Sequence, residues 1–477
     1  MKRIAWILLI AILAGLTSCG DDAEDEKVTD QTTTSAQEET TEEGPKPTLP
    51  DVKYDYTFTF YTRGDLPTSF MVEEATGEIM DDALYGRMTT VSELLGVEFA
   101  NVKSSDEFGM DAKNAIIAGD DSYDVIVPHG RQAFGYVEEG LTLNWLTDLE
   151  YIDLDAPWWS QDAKDSFTIA GNLGLMIGDI DHGALGMAKC TFFNQKIFDE
   201  YSIDYPYELV RQGKWTFDKV VEISRTVTED LNGDAKYELD KDQFGFASTW
   251  WGTPINVITT AGVRICDKNA EGLLEISLDS ERTVEVFDKF FNAMDNENGM
   301  TIIKQDNSSL VRDAFIEGRL AFCDGLLNAA QTYRDMNDDF GIIPCAKFDE
   351  SVEGYPSLVD AYCGLLLVPI TASDASRTSA VLEAMAYYGW RDVVPAYYDI
   401  ALSVKFARDD DSVEMLDIIR ENRCFDIGYY CGSIPSELNS IGYNLTKSND
   451  HNFASYYASI KDSAQAKIDE INQKYMK

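Results

Sequence analysis

Histidine is nearly absent from this chain of 477 residues. His129, His182 and His451 are the only three, and the sequence contains neither an HExxH nor a CxxC pattern. A zinc site or a Ser-His-Asp mechanism needs histidine at a particular place, so either would depend on one of these three. GxSxG and GxxxxGK[ST] patterns are missing as well. These absences argue weakly against an enzyme. Glycoside hydrolysis by a pair of carboxylates stays an alternative, because the chain has 84 Asp and Glu residues.

Basic residues are scarce relative to acidic ones. The chain has 39 Lys and Arg against 84 Asp and Glu, which gives a formal net charge of −45. Such a surface repels the phosphates of nucleic acids and the head groups of anionic lipids. We therefore exclude nucleic acid as a partner. Highly anionic solutes are disfavoured too, unless the protein has a local cationic pocket.

The cysteines do not form a disulfide framework. Cys19 stands apart near the N-terminus, and the other seven are an odd number at scattered spacings. Most of them lie in apolar runs such as LAFCDG and AYCGLLLV, where a cysteine behaves as a small buried hydrophobe. A disulfide between Cys424 and Cys431 and a pair of free thiols both stay open.

Long hydrophobic runs are also missing, except for a short one at the N-terminus. Residues 4–16 are apolar and follow the basic residues Lys2 and Arg3. This run is shorter than the roughly 20 residues that span a bilayer as a helix, and it is typical of a signal peptide. It ends in LTSC, which resembles a lipobox and implies cleavage after residue 18 and lipidation of Cys19. The alternative is an ordinary secretory peptide with an incidental cysteine.

Residues 20–50 have a composition typical of disorder. They contain many acidic and threonine residues and no aromatic residue. Such a segment buries too little apolar surface to offset the entropy that it would lose on ordering. We expect residues 19–50 to be a lipidated cysteine followed by a disordered acidic tether.

The first part of the body, from residue 51, alternates strand and helix patterns. We predict strands at 54–61, 97–102 and 123–130, with helices at 80–95 and 111–118 between them. This order is typical of a doubly wound α/β sheet, in which ligands bind beyond the carboxyl ends of the strands. The loops that follow two of these strands carry Arg63 and His129, which are therefore candidate ligand-binding residues.

Several motifs occur in an order that resembles a known family. They are YIDLDAPWW, GDI, FFNQKIFDEY, PYELVRQGKWTFDK, LNGDAKYELDKDQFGF and AFIEGRLAFCDG. Together with the lipobox and the acidic tether, they resemble the extracellular solute-binding lipoproteins of ABC importers, in the carbohydrate-associated family 1 that is similar to maltose-binding protein. The resemblance extends from about residue 54 to the end of the chain and is densest between 140 and 250.

The resemblance implies an α/β protein with the two-lobed type II periplasmic-binding-protein fold and hinge strands. Lobe one is expected at 51–188 plus 320–390, and lobe two at 189–319 plus 391–477. Such a protein is a monomer anchored to the outer face of the cell membrane, captures a carbohydrate and delivers it to ABC permease subunits. It is not an enzyme and requires no cofactor. The alternatives are the same fold with a peptide or other polar solute, and an anchored glycan hydrolase.

Sugars present hydroxyl groups and apolar C–H faces, so their sites combine aromatic rings with polar side chains. The residues expected to contact the solute are Arg63, His129, Asp179, Asp181, Trp250, Trp251, Asp324, Gly325, Tyr429 and Tyr430. The tryptophans and Asp324 with Gly325 fall at predicted strand ends. The alternative for the tryptophans and tyrosines is a place in the core, and the alternative for the two aspartates near the first lobe crossing is a structural role at the hinge.

The stretch DLNGDAKYELDKDQFGF resembles an EF-hand calcium loop. Its candidate metal ligands are Asp230, Asn232, Asp234, Lys236 through its carbonyl, Glu238 and Asp242. However, alanine replaces the glycine expected at position 6, and Lys241 stands at position 12, where a bidentate carboxylate belongs. A structural calcium site and an acidic surface turn both stay open.

Overall fold

The computed structural model describes most of the chain beyond the N-terminal segment. The described residues are 44–64, 70–303, 309–334, 336–403, 410–448 and 451–476. The predicted signal peptide, Cys19 and residues 20–43 of the predicted tether lie outside them, as does Asp65. Within the described ranges, no helix has both the length and the apolar character needed to cross a membrane.

The described strands are mostly short. Their bounds are β1 Tyr56–Thr62, β2 Val97–Lys103, β3 Val125–Val127, β4 Lys189–Asn194, β5 Phe244–Thr249, β6 Cys266–Lys268, β7 Leu274–Ile276, β8 Met300–Ile303, β9 Leu320–Leu326, β10 Phe340–Pro344, β11 Ser357–Leu358 and β12 Arg423–Cys424.

Helices connect and cover the strands. Their bounds are α1 Ile79–Leu95, α2 Ala112–Ile117, α3 Gly130–Glu138, α4 Gln161–Phe167, α5 His182–Gly186, α6 Gln195–Glu200, α7 Tyr207–Arg211, α8 Phe217–Val227, α9 Thr253–Asn256, α10 Glu281–Ala293, α11 Ser309–Ile316, α12 Ala330–Tyr333, α13 Ala375–Tyr388, α14 Val394–Ser403, α15 Asp410–Glu421, α16 Ile427–Tyr430, α17 Ser436–Asn439, α18 Ile441–Lys447 and α19 Phe453–Tyr475.

The first sheet is parallel, and β1 lies between β2 and β3. Phe58 and Phe60 of β1 are fully buried, and they share one hydrophobic core with Val91 of α1. Helix α1 also buries Arg87, whose guanidinium donates hydrogen bonds to the carbonyl oxygens of Ile180 and Phe70 at 2.8 and 2.7 Å. The alternation of strands and helices predicted for this part of the chain is therefore confirmed.

The second sheet has five strands in the order β10-β4-β9-β5-β8. Strand β4 runs antiparallel to β9 and β10, whereas β5 runs parallel to β8 and β9. The carboxyl ends of β5, β8 and β9 therefore lie at the same edge of the sheet as the amino end of β4. Strands β9 and β10, which the sequence-based boundary assigns to lobe one, pair within this second sheet. Such pairing between distant segments is not revealed by local sequence patterns, and the lobe boundaries stay a prediction.

The chain passes from the second sheet back to the first between β10 and residue 369. Strand β11 pairs with β12, and Val359 pairs with Ala188 just before β4. Gly364 and Leu367 then pair antiparallel with His129 and Ile126 at the first sheet. This segment therefore connects the two sheets close to the ends of β3 and β4.

A buried carboxylate ties the PWW motif to helix α13. The indole N–H groups of Trp158 and Trp159 donate to the two carboxylate oxygens of Glu383 at 2.9 and 2.8 Å. All three residues are almost fully buried, so these donors have no access to bulk water. The two tryptophans therefore have a packing role.

Replacing Glu383 by Ala is expected to destabilise the protein by about 1–3 kcal/mol, because both buried indole N–H groups are left without an acceptor. Equilibrium urea unfolding measures this difference. The matched control is Glu93→Ala, at an exposed position of α1, for which a change within about 0.5 kcal/mol is expected. Equal stability of the two variants would contradict this account of Glu383.

Candidate functional site

Asp324 lies in β9 at the edge of the second sheet. Thr191 donates its hydroxyl to one carboxylate oxygen of Asp324, and Thr253 donates to the other at 2.7 Å. Burial raises the pKa of Asp324, and the two hydroxyl groups and the nearby charge of Lys189 oppose that rise. Its neighbour Gly325 packs closely, since a Cβ there would lie 3.3 Å from the ring of Phe192. Asp324 thus occupies the predicted sheet edge, and both of its oxygens have partners.

The two adjacent tryptophans at the end of β5 have different surroundings. Trp250 packs on the ring of Tyr443, with the ring centroids 4.5 Å apart. Trp251 is 37% exposed, and the Lys189 ammonium lies 5.8 Å from the centre of its ring. Of this pair, Trp251 is the one that presents an open aromatic surface beside the amino end of β4.

Arg63 and His129 meet at Tyr362, beside the first sheet. Arg63 follows β1 directly, donates to the Tyr362 carbonyl at 3.1 Å and stacks over its ring at 4.2 Å. His129 caps α3 by accepting the Arg131 backbone N–H at 3.1 Å. The His129 ring meets the Tyr362 ring edge to face at 5.6 Å. Both predicted residues are buried, and Tyr362, which lies between them, is 45% exposed.

The carboxylate of Asp360 joins these groups. One oxygen accepts the backbone N–H of Tyr362 at 2.9 Å. The other accepts the Tyr429 hydroxyl at 3.1 Å and lies 3.7 Å from the Lys189 ammonium. Asp360 therefore connects the residues beside the first sheet with Lys189 and Trp251 at the edge of the second.

We call the connected set the Asp360 cluster. It consists of Arg63, His129, Arg131, Lys189, Trp251, Asp360, Tyr362 and Tyr429. Two exposed aromatic rings and several charged side chains in one patch form the kind of surface that binds a polar solute with apolar faces.

The neighbouring tyrosines of α16 differ in their roles. The Arg131 guanidinium stacks on the ring of Tyr429 at 4.5 Å, and the hydroxyl of Tyr429 binds Asp360. Tyr430 is fully buried and donates its hydroxyl to the Val359 carbonyl at 2.9 Å. Tyr430 thus belongs to the core and has no exposed face for a solute, which corrects the expectation for this residue.

Asp179 and Asp181 have partners outside the cluster. The Asp179 carboxylate forms ion pairs with Arg420 at 2.7 Å and Arg423 at 3.3 Å. The carboxylate of Asp181 caps α5 by accepting the Gly183 backbone N–H at 2.8 Å. Both aspartates are buried, and these contacts agree with the alternative interpretation, a structural role near the hinge.

A separate cavity of about 350 Å³ lies beside β12. Asp162, which lines it, forms an ion pair with Arg264 and accepts the Phe425 backbone N–H at 2.6 Å. Arg264 also donates to the Phe425 carbonyl at 2.6 Å. These charged groups bind one another, and none of the predicted solute-binding residues lines the cavity. We therefore place the candidate site at the Asp360 cluster.

The EF-hand-like loop bonds to itself. Asp230 accepts the backbone N–H groups of Gly233 and Ala235, Asn232 accepts that of Asp234, and Asp234 accepts that of Lys236. These side chains form Asx-type turns along an exposed loop.

The far end of this loop does not provide an EF-hand ligand set. Lys241, at position 12, forms an ion pair with Glu238. Asp242 is buried and accepts the backbone N–H groups of Leu231 and Glu238. Within the described part of the chain, no three acidic, histidine or cysteine side chains converge as a metal site would require. The contacts favour the acidic surface turn, and calcium binding stays a prediction.

Four members of the cluster were not singled out from the sequence: Arg131, Lys189, Asp360 and Tyr362. Arg131 and Lys189 lie within segments that the sequence marked, the loop after β3 and the first lobe crossing. Tyr362 opens an apolar run that indicates a buried strand. The one sign that the start of this strand is exposed is the polar residue Asp360 just before the run. The start of a strand lies at the edge of a sheet, as its end does, and can therefore also carry ligand-binding residues such as these.

No family model matches this sequence, and no curated protein sequence is detectably similar to it. Solved structures do match the fold. The ABC substrate-binding protein Lmo0181 from Listeria monocytogenes, in complex with cycloalternan, has a TM-score of 0.53 at 14% identity, with 88% of this chain and 98% of that chain covered.

Two further structures agree. The GacH receptor of Streptomyces glaucescens, solved unliganded and with acarbose, has a TM-score of 0.55 at 13% identity over 87% of this chain and 99% of that one. UgpB from Mycobacterium tuberculosis, in complex with glycerophosphocholine, has a TM-score of 0.54 at 13% identity over 87% and 98%. This chain is similar to all three over nearly its whole folded length. It therefore has the two-lobed periplasmic-binding-protein fold of ABC solute-binding proteins such as these, as its sequence predicted.

Proposed function

We propose that this protein is a lipid-anchored extracellular receptor that captures a carbohydrate at the Asp360 cluster and delivers it to an ABC permease. The observation that carries the proposal is the pair of exposed aromatic rings, Tyr362 and Trp251, linked through Asp360 and Lys189. Oligosaccharides present both C–H faces and hydroxyl groups, which suit such rings and the charged groups between them.

The two rings are attached to different sheets, which supports capture by closure. Tyr362 lies beside β1 and β3, whereas Trp251 follows β5. Rotation of two lobes about connecting strands would bring such surfaces onto opposite sides of one solute. Capture of this kind needs no bond to be made or broken.

The same fold with a different polar solute is the second candidate. The similarity to UgpB, solved with glycerophosphocholine, favours it, because a solute that is not a carbohydrate occupies a protein of this fold. An anchored glycan hydrolase is the third, and turnover that depends on one carboxylate would distinguish it. Asp360 of the cluster and the neighbouring Asp324 each have both carboxylate oxygens engaged by protein donors.

The anchor and the location are proposed from the N-terminal sequence. A basic start, an apolar run of residues 4–16 and the LTSC motif precede a long acidic segment. A lipid on Cys19 would hold the protein at the membrane while the tether leaves it free to bind solute in solution. The acidic body would itself have little attraction to anionic head groups, so we assign the attachment to the lipid alone.

Binding of an oligosaccharide should raise the thermal midpoint of the purified protein, since ligand at 100 times Kd stabilises by about 2.7 kcal/mol. Tyr362→Ala and Trp251→Ala should each weaken binding about tenfold or more, because each removes a stacking face, a loss of about 1.4 kcal/mol. Thermal shift and calorimetric titration over a panel of mono- and oligosaccharides provide the test.

The matched control is Tyr85→Ala, which removes a similarly exposed aromatic ring from α1. Its affinity should equal that of the unmodified protein. If no sugar shifts the midpoint of folded, ligand-free protein, the carbohydrate assignment fails and peptides or other polar solutes become the better candidates.

Cys19→Ser should release the full-length protein from the membrane fraction into the medium of an expressing cell, because serine offers no thiol for a thioether. Fractionation and immunoblotting measure the distribution. Ser18→Ala is the control and should stay with the membrane, since it keeps a small residue before the cysteine. Retention of Cys19→Ser in the membrane fraction would show that another feature provides the anchor.

A further inference from the structure

The Asp360 cluster has a charge balance opposite to that of the whole chain. The protein has a formal net charge of −45. Yet the cluster contains Arg63, Arg131 and Lys189, whose charged groups contact Tyr362, Tyr429 and Trp251. Asp360 is its acidic member, and Asp324 is the carboxylate next to it. The cluster therefore contains more basic than acidic side chains, and of the three basic ones Arg63 and Lys189 are buried while Arg131 is partly exposed.

The two carboxylates are already used by the protein. Asp360 accepts from the Tyr362 N–H and the Tyr429 hydroxyl, and it lies 3.7 Å from the Lys189 ammonium. Asp324 accepts hydroxyl groups from Thr191 and Thr253. The carboxylate oxygens that a solute meets at this surface already accept hydrogen bonds from the protein. The site therefore provides fewer acceptors for sugar hydroxyl groups than its acidic residues suggest.

Arg131, in contrast to these two carboxylates, contacts neutral groups. Its guanidinium lies on the Tyr429 ring, and one of its nitrogens donates to the neutral Ser440 hydroxyl at 3.3 Å. Arg264, Arg420 and other arginines of this acid-rich chain pair with carboxylates. Among the described residues, no acidic side chain forms an ion pair with Arg131, which is only half-buried.

A guanidinium presents several N–H groups in a fixed plane and matches a carboxylate with two parallel hydrogen bonds. The contacts with the Tyr429 ring and the Ser440 hydroxyl hold the guanidinium in position before any solute arrives, so little freedom is lost on binding. A solute that brings its own carboxylate would add a charged acceptor to the neutral one that Ser440 provides for Arg131.

We propose that the solute is an acidic carbohydrate, an oligosaccharide with a uronic acid residue, and that Arg131 binds its carboxylate. This inference rests on the proposed function, because it specifies the class of sugar at the same site. Tyr362 and Trp251 bind the sugar faces, and Arg131 distinguishes acidic sugars from neutral sugars of the same length and linkage. A charge-assisted hydrogen bond contributes about 1.5–3 kcal/mol, so the acidic sugar should bind about 10–100 times more tightly than its neutral counterpart.

The experiment is calorimetric titration of the purified protein with matched sugar pairs. Each pair has one backbone, for example trigalacturonate with galactotriose, and a glucuronic acid-substituted xylo-oligosaccharide with the unsubstituted one. Arg131→Gln should weaken binding of the acidic member about 10–100-fold and leave the neutral member within about twofold. Arg131→Lys should recover part of the preference, because it restores the charge without the planar pair of donors.

Arg225→Gln is the matched control, since Arg225 is an exposed arginine of α8 whose side chain donates to the neutral Asn298 amide at 3.0 Å. It should leave both affinities unchanged. Thermal unfolding of each variant without ligand shows whether the fold is intact. The preference of the unmodified protein for one member of each pair tests the proposal even if Arg131→Gln does not fold.

Equal affinity for acidic and neutral members, with no selective effect of Arg131→Gln, would overturn the acidic-sugar inference and leave the carbohydrate receptor standing. Binding of neither member by folded protein, together with binding of a peptide or a glycerophosphodiester, would overturn both. The two failures are therefore distinguishable.

Discussion

The Asp360 carboxylate is the interaction on which the arrangement of the candidate site depends. It fixes the backbone of Tyr362, the hydroxyl of Tyr429 and the ammonium of Lys189 at once. Because Lys189 begins β4 of the second sheet while Tyr362 leads into the segment that pairs with the first, one side chain sets the spacing between groups from both. Without Asp360, no shared contact would link the groups that position the two exposed aromatic rings. Lys189 would also lose its carboxylate partner.

The fold was largely predictable because its first elements follow simple periodicities. Alternating Phe58 and Phe60 indicate β1, and Leu84, Val91 and Leu95 indicate the buried face of α1, as the structure confirms. The position of β9 and β10 was not predictable, since antiparallel pairing with β4 joins residues more than 100 positions apart. Local pattern carries no information about such pairs. Order and spacing of motifs, rather than periodicity, indicated the family fold.

The candidate site was predictable only where a residue follows a strand. Arg63 comes directly after β1 and His129 two residues after β3, so the rule that ligands bind at strand ends found them. Tyr429 and Tyr430 are neighbours of one type in a four-residue helix, and only the packing of that helix decides which one faces Arg131. Tyr362 and Asp360 were missed because the apolar run that follows them dominates its segment. A site assembled from several separate strand ends is a tertiary property, and the sequence alone supplies only its parts.

Two buried carboxyl groups make the stability of the folded protein depend on pH in a way that its surface charge would not suggest. Burial raises the pKa of Glu383 to about 7 and that of Asp426 to about 6, although hydrogen bonds from N–H groups oppose both shifts. The ordinary values are 4.5 and 3.8. At a pH between the ordinary and the raised pKa of each group, the folded chain holds a proton that the unfolded chain has released. These two residues therefore make folding less favourable as the pH rises from about 4 to 7. Mild acid, which also reduces the repulsion among the many surface carboxylates, therefore favours the folded state on both counts.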